Sequence, residues 1–468
     1  MDSEELRRHG HAVVDLLVDH LEALPDGPPW RPVPPASRRA LADQPLPATG
    51  AGFEELLGFT REHVLPYPFG NGHPRFFGWA NPPPAYEGVL ADLIAAAMNP
   101  SCAGGDQAAV HLERCTVRWL AELVGFPGDG VLVSGGSAGA LTALAAARHR
   151  AALADGWDDR TEGFTGDRAA RLTVYVSDET HSSLVKSAQL LGFGDRGVRV
   201  VPTDAAGRMD ADALDRTIQA DRRSGLRPCA VVASAGIVST GVLDPLARIA
   251  AISEREGAWF HVDGSLGGFG VLDGRVAPLY EGMAAADSLV LDPHKWLSVP
   301  IDCAAVLVKD LDDLRSTFSL VPPYLRSRPG DDPWLSEYVF DQTRPFRALK
   351  LWATIAGTGR DELAARIGRN IDQAARLADH VRATPELELQ AEPELDVVTF
   401  RFVLGDDDLN RALPVAVQHA GDVFVTGARV DGREVVRACF MHHGTTDDDV
   451  DRIVPAVLAE ARRLVAAA

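Results

Sequence analysis

Only four of the 46 basic side chains in this 468-residue sequence are lysines: Lys186, Lys295, Lys309 and Lys350. A chain that uses arginine almost everywhere keeps lysine mainly where an amine is needed. Lys295 stands in Asp292-Pro-His-Lys-Trp-Leu, directly after an apolar run and between an imidazole and an indole. Desolvation there frees an amine to act as a nucleophile, the alternative being a lone solvated lysine. Lys309 reads as a solvated charge at a strand end, and Lys186 and Lys350 as helix-surface residues. Asp263 closes the run Trp259-Phe-His-Val, at the carboxyl edge where α/β sheets place ligands. A carboxylate buried there needs a cationic partner. A protonated pyridine nitrogen is one, and it makes the ring an electron sink for a carbanion; the commoner alternative is an Asp that caps the following loop.

Ser134-Gly-Gly-Ser-Ala-Gly-Ala follows Val131-Leu-Val and opens a helix over Leu141–Arg150. Glycines let the backbone approach a phosphate, and the free N–H groups of a first helical turn bind the dianion. Many such turns bind nothing, and this one does not match the nucleotide P-loop pattern. His181, in Ser177-Asp-Glu-Thr-His-Ser-Ser, also follows an apolar run; it could stack on a cofactor ring or be structural.

These residues sit at the ends of runs that must be strands. Val131-Leu-Val, Leu172-Thr-Val-Tyr-Val, Val198-Arg-Val-Val, Ala230-Val-Val-Ala, Trp259-Phe-His-Val, Ser288-Leu-Val-Leu and Ala304-Ala-Val-Leu-Val alternate with helical segments. They are apolar throughout, as strands buried on both faces of a largely parallel α/β sheet require. From about Leu351, long helices interrupted by Asp396-Val-Val-Thr-Phe-Arg-Phe, Val423-Phe-Val and Glu434-Val-Val-Arg predict a small α+β domain on an antiparallel sheet, closed by a helix from about Asp447. Helical spacing from Ser3, its expected N-cap, to Leu24 precedes a Pro-rich stretch, Pro25–Pro47. That helix has little core of its own and must pack on the main domain or on a second subunit. The expected division is 1–75, an N-terminal arm; 76–350, a large α/β domain; and 351–468, a small C-terminal domain.

A net charge of −20 argues against nucleic acid or an anionic membrane as partner. Five scattered cysteines without a C-x-x-C pair predict reduced, mostly buried thiols and no metal site. Acids at the start, where a signal peptide carries bases, and the lack of an apolar run near the length of a membrane span predict a cytoplasmic protein.

Taken together, His73-Pro-Arg-Phe-Phe, Asn99-Pro, Gly135-Gly-Ser, Thr180-His-Ser-Ser, His261-Val-Asp, Asp292-Pro-His-Lys-Trp and Arg347-Ala-Leu-Lys-Leu-Trp resemble the group II decarboxylases that depend on pyridoxal 5′-phosphate (PLP), the family of aromatic-L-amino-acid and glutamate decarboxylases. The similarity runs over nearly the whole chain, and the last three motifs are its most specific part. It implies fold type I (aspartate aminotransferase-like), a homodimer with shared active sites, and removal of the α-carboxylate of an amino acid. It implies that Lys295 carries PLP as a Schiff base, that Asp263 pairs with the pyridine nitrogen and that His181 stacks on the ring. Gly136 and Ser137 match the phosphate turn, with Ser288 and His294 matching further phosphate-side contacts. Val321-Pro-Pro-Tyr-Leu is similar to the family's catalytic loop, which makes Tyr324 the proton donor, reaching the neighbouring subunit's site.

Three departures stand out. Gly236-Ile-Val replaces a common Gly-Thr-Thr, so Val238 removes a hydroxyl; Ser265 stands where a methyl lies against the ring; and Asp292 replaces the Asn of animal relatives, a carboxylate repelled by phosphate unless it turns away. Two other readings stay open: a different PLP reaction (oxidative decarboxylation to an aldehyde, transamination or carbon–carbon lysis), or a PLP-binding protein without catalysis. In the segment matching the substrate pocket, Gly78-Trp-Ala-Asn-Pro, Trp79 and Pro82 face the substrate with no cation for a second carboxylate. An aromatic L-amino acid is therefore expected, with a bulky aliphatic one as competitor, although Trp79 could equally be core packing.

Overall fold

The computed structural model describes residues 2–320 and 334–467. Each of the seven apolar runs forms a strand: β1 (Asp129–Val133), β2 (Leu172–Ser177), β3 (Val198–Val201), β4 (Arg227–Ser234), β5 (Trp259–Asp263), β6 (Ser288–Leu291) and β7 (Ala304–Val308). They make one sheet, ordered β1-β7-β6-β5-β4-β2-β3, in which β7 runs antiparallel to both its neighbours and β6 through β3 are parallel. The central strands β2, β4, β5, β6 and β7 are buried almost end to end, which is why most of their positions are apolar. The helix Gly136–Ala154 packs here because its small side chains, nine of them alanine, allow a close approach to the sheet.

The chain divides into two compact units, residues 84–374 with 391–398, and residues 1–83 with 375–390 and 399–468. The second carries a four-stranded sheet ordered β10-β11-β9-β8, from β8 (Leu387–Leu389), β9 (Val397–Phe402), β10 (Thr426–Val430) and β11 (Arg433–Cys439). The pairs β8–β9 and β10–β11 are antiparallel. Val423-Phe-Val is not the strand its composition suggested. Phe424 makes only an isolated bridge to Phe76, and the strand begins at Thr426. The first helix spans Ser3–Ala23, and Asp2 rather than Ser3 caps it, its carboxylate accepting the N–H groups of Glu4 and Glu5 at 2.9 and 2.8 Å. All five cysteines are free thiols, four of them buried.

Candidate active site

The parallel strands bring the chemistry to one edge. Beyond the carboxyl ends of β1, β2, β4, β5 and β6 lies a cavity of about 290 Å³, lined among others by Gly136, Ser137, His181, Val238, Asp263, Ser265, Asp292, His294 and Lys295. Lys295 Nζ lies 3.0 Å from Asp292 Oδ2. His294 is held by its Nδ1 on the Cys303 carbonyl at 2.6 Å, which leaves Nε2 3.7 Å from the same Asp292 oxygen. Asp263 Oδ1 accepts the Ser265 N–H at 3.1 Å. His181 caps the helix Ser182–Leu190: its Nδ1 accepts the Ser183 N–H at 3.3 Å and lies 2.7 Å from Ser183 Oγ, so the ring proton sits on Nε2.

Two glycines keep the cavity open. A methyl group at Gly136 would stand 2.5 Å from Ser265 Oγ and 3.1 Å from Asp292 Oδ2. Gly236 has φ +103°, where a Cβ would also meet the Gly267 nitrogen at 2.8 Å. Val238 lines the cavity, 38% exposed.

The structure departs from the sequence reading in several places. Ser288 is not on the phosphate side. It begins β6, at the far end of the strand from the cavity, and its buried hydroxyl is engaged by Trp259 Nε1 at 2.7 Å and His261 Nδ1 at 2.8 Å. Asp292 does not turn away from the glycine turn but lies against it, buried and paired with Lys295. Lys350 is no surface residue: it is 4% exposed, with Nζ 3.3 Å from Asp92 Oδ2 and 3.2 Å from the Ile301 carbonyl. Trp79 and Pro82 belong to the other compact unit and do not line this cavity. The Trp79 indole is half exposed and stacks on Phe69, centroids 3.9 Å apart and planes 3° apart, while Pro82 is buried and its carbonyl accepts from Asn71 at 3.4 Å. Tyr324 lies outside the described residues. Ser183 and Ile301 line the cavity without having been expected there. The position of Ser183 beside His181 was the available signal for the first, and nothing in the sequence marks the second.

A lysine, a carboxylate at a strand end and a glycine turn opening a helix are the donor set PLP needs for its aldehyde, its ring nitrogen and its phosphate. On this sheet they define a type I PLP enzyme. The family model described as "pyridoxal-dependent decarboxylase conserved domain" matches residues 35–403, and the aromatic-L-amino-acid decarboxylase of Bacillus atrophaeus is 30% identical, covering 99% of this chain and 97% of that protein. The chain belongs to the pyridoxal-dependent decarboxylases and is a PLP-dependent carboxy-lyase. It is also similar to phenylacetaldehyde synthase of Arabidopsis thaliana, 29% identical over 93% of this chain and 92% of that protein. A crystal structure of Oryza sativa TDC with PLP and tryptamine superposes with a TM-score of 0.92 at 27% identity, covering 99% of both chains.

Proposed function

We propose that this enzyme removes the α-carboxylate of an aromatic L-amino acid, releasing CO₂ and the amine. The observation that carries the substrate choice is that relatives matching nearly the whole chain are named for aromatic amino acids. The Gly78-Trp-Ala-Asn-Pro segment, which resembles the family's substrate pocket, supports the same choice, since it carries no cation for a second carboxylate.

When bound, PLP supplies a ring that takes up the electron pair left by the departing CO₂. Lys295 would hold the cofactor and Asp263 would keep the proton on its ring nitrogen, with His181 and Ser265 beside the ring. Gly136 and Ser137 would receive the phosphate at the helix N-terminus, beside His294. Tyr324, from the resemblance, protonates the substrate's Cα. The active unit we propose is a homodimer acting in the cytoplasm. In its support, the helix Tyr86–Met98 leaves Leu90, Leu93, Ile94 and Met98 exposed along one side, and the helix Ser3–Ala23 leaves Leu6, Val13, Val18 and Leu21 exposed. No described helix is long and apolar enough to cross a membrane.

A second reading has an observation of its own: an aldehyde-forming relative is nearly as similar as the amine-forming one. In that reaction substrate, O₂ and water give aldehyde, CO₂, ammonia and peroxide. Assays of CO₂, amine and peroxide with tryptophan, tyrosine, phenylalanine, leucine and glutamate decide both points. Aromatic substrates should exceed glutamate in kcat/KM by about a hundredfold or more, the scale of an unpaired buried charge, and amine should match CO₂. A preference for glutamate overturns the substrate, and peroxide equal to CO₂ overturns the product.

A further inference from the structure

The sparing use of lysine leads to a second position besides Lys295. Lys350 is buried on the helix Arg347–Thr358, and its ammonium reaches both the Asp92 carboxylate, Oδ2 at 3.3 Å, and the Ile301 carbonyl at 3.2 Å. Three residues earlier on the same face of that helix, Arg347 grips the next residue of the same segment: its Nε and Nη2 donate to Asp302 Oδ1 at 3.1 Å and Oδ2 at 2.8 Å. The two cations have different work. A planar guanidinium matches the two oxygens of one carboxylate, whereas an ammonium is a compact donor whose three protons serve a carboxylate and a carbonyl in different directions. That difference accounts for a lysine here in a chain that uses arginine for nearly every other basic side chain.

What the two cations hold is a wall of the candidate active site. Ile301 and Lys295 lie on the same connection, between β6 and β7, and both line the same cavity. The part of that connection next to Lys295 is tied to itself, the Ser298 N–H donating to the Lys295 carbonyl at 2.9 Å and the Val299 N–H to the Pro293 carbonyl at 3.1 Å. Ile301 and Asp302 are held instead from the helix Arg347–Thr358. Ile301 is 62% exposed, so its backbone must be fixed if its apolar side chain is to keep one place at the cavity. We propose that Lys350 is a positioning residue for substrate recognition: by fixing the Ile301 carbonyl it holds the Ile301 side chain against the cavity, where that side chain limits the size of the substrate's own.

The proposal rests on this cavity being the one that takes the substrate, and the test separates the two. CO₂ release from tryptophan, phenylalanine, leucine and glutamate is measured, with the Kd for PLP beside it, for the holoenzyme and for Ile301→Ala, Lys350→Met, Lys350→Arg and Ile301→Ala/Lys350→Met. The Asp92 side chain is 44% exposed, so removing its partner leaves no charge buried and Lys350→Met should fold. Lys350→Met should raise KM for the preferred substrate about tenfold, the scale of a hydrogen bond to a charged group. It should leave kcat within about twofold and the Kd for PLP unchanged, and narrow the spread of KM across the series. Lys350→Arg keeps a charge for Asp92 but not the compact donor, so it should match the parent in melting temperature and still raise KM. In the Ile301→Ala background, Lys350→Met should add little, because there is no side chain left to hold. If Ile301→Ala leaves the substrate preference as in the parent, the reading of the cavity fails. If Ile301→Ala changes the preference while Lys350→Met does not, or if the two losses add in full, the positioning role fails. Should Lys350→Met not fold, Lys350→Arg decides: parental KM values across the series overturn the proposal.

Discussion

At the scale of single residues, Gly136 is where one methyl group is felt most directly. Its Cβ would press on Ser265 Oγ and Asp292 Oδ2 at 2.5 and 3.1 Å, both of them lining the candidate cavity. Gly136→Ala should therefore weaken PLP binding by about tenfold, a loss of the size of one good polar contact, with the melting temperature unchanged. Adding Ser265→Ala should recover part of the loss, and a Gly136→Ala protein that binds PLP like the parent would remove the phosphate from this turn. That Lys295, Asp263 and Gly136 line one cavity was legible because all three follow strand ends that the sequence itself marks. Ser288 was not, since its place depends on which end of a four-residue strand faces the cavity. Nor was Lys350, whose partner Asp92 lies 258 residues away along the chain.

At the scale of elements, the strands of the large sheet could be read because burial on both faces leaves runs apolar throughout. β10 could not. Its burial alternates with exposed positions, and its Thr-Gly-Ala-Arg-Val sequence carries polar residues, whereas the apolar Val423-Phe-Val beside it fills a core without joining the ladder. Equally hidden was the joint that fixes β1. Arg344, 1% exposed, donates to Glu113 on the helix Ala108–Val124, to the Cys102 carbonyl at 3.0 Å and to the Leu132 carbonyl at 2.6 Å. Glu113 in turn accepts the Leu132 N–H at 3.0 Å. Arg344→Met leaves that carboxylate buried and unpaired, and should cost about 3–5 kcal/mol, read as a lower urea midpoint for unfolding. The double variant Glu113→Gln/Arg344→Met should be more stable than Arg344→Met alone. If it is less stable, the cost lies in packing and not in the orphaned charge.

At the scale of the whole molecule, buried ionisable groups set how stability responds to acid. His261 and His442 are both pushed down by burial to about 4 from an ordinary 6.5. Local geometry reinforces the effect at His442, whose Nδ1 accepts the Gly444 N–H at 2.9 Å while Nε2 faces the Gly72 carbonyl at 3.2 Å, leaving no place for a second proton. Below pH 6.5 the unfolded chain takes up protons at these rings that the folded chain refuses, so stability falls as pH drops toward 4, by on the order of 3 kcal/mol for each ring. Asp244 acts in the opposite sense. Burial raises its carboxyl from 3.8 to about 6, so the folded chain binds that proton first and gains stability as pH falls across the same range, again by on the order of 3 kcal/mol. Two losses against one gain leave a net loss on the order of 3 kcal/mol between about pH 6.5 and 4. Urea unfolding at a series of pH values should show that slope in the parent. His442→Gln should flatten it, and Asp244→Asn, which removes the opposing gain, should steepen it. A parent whose stability is level or rising on acidification, with His442→Gln indistinguishable from it, would show that these imidazoles are not held neutral by the fold.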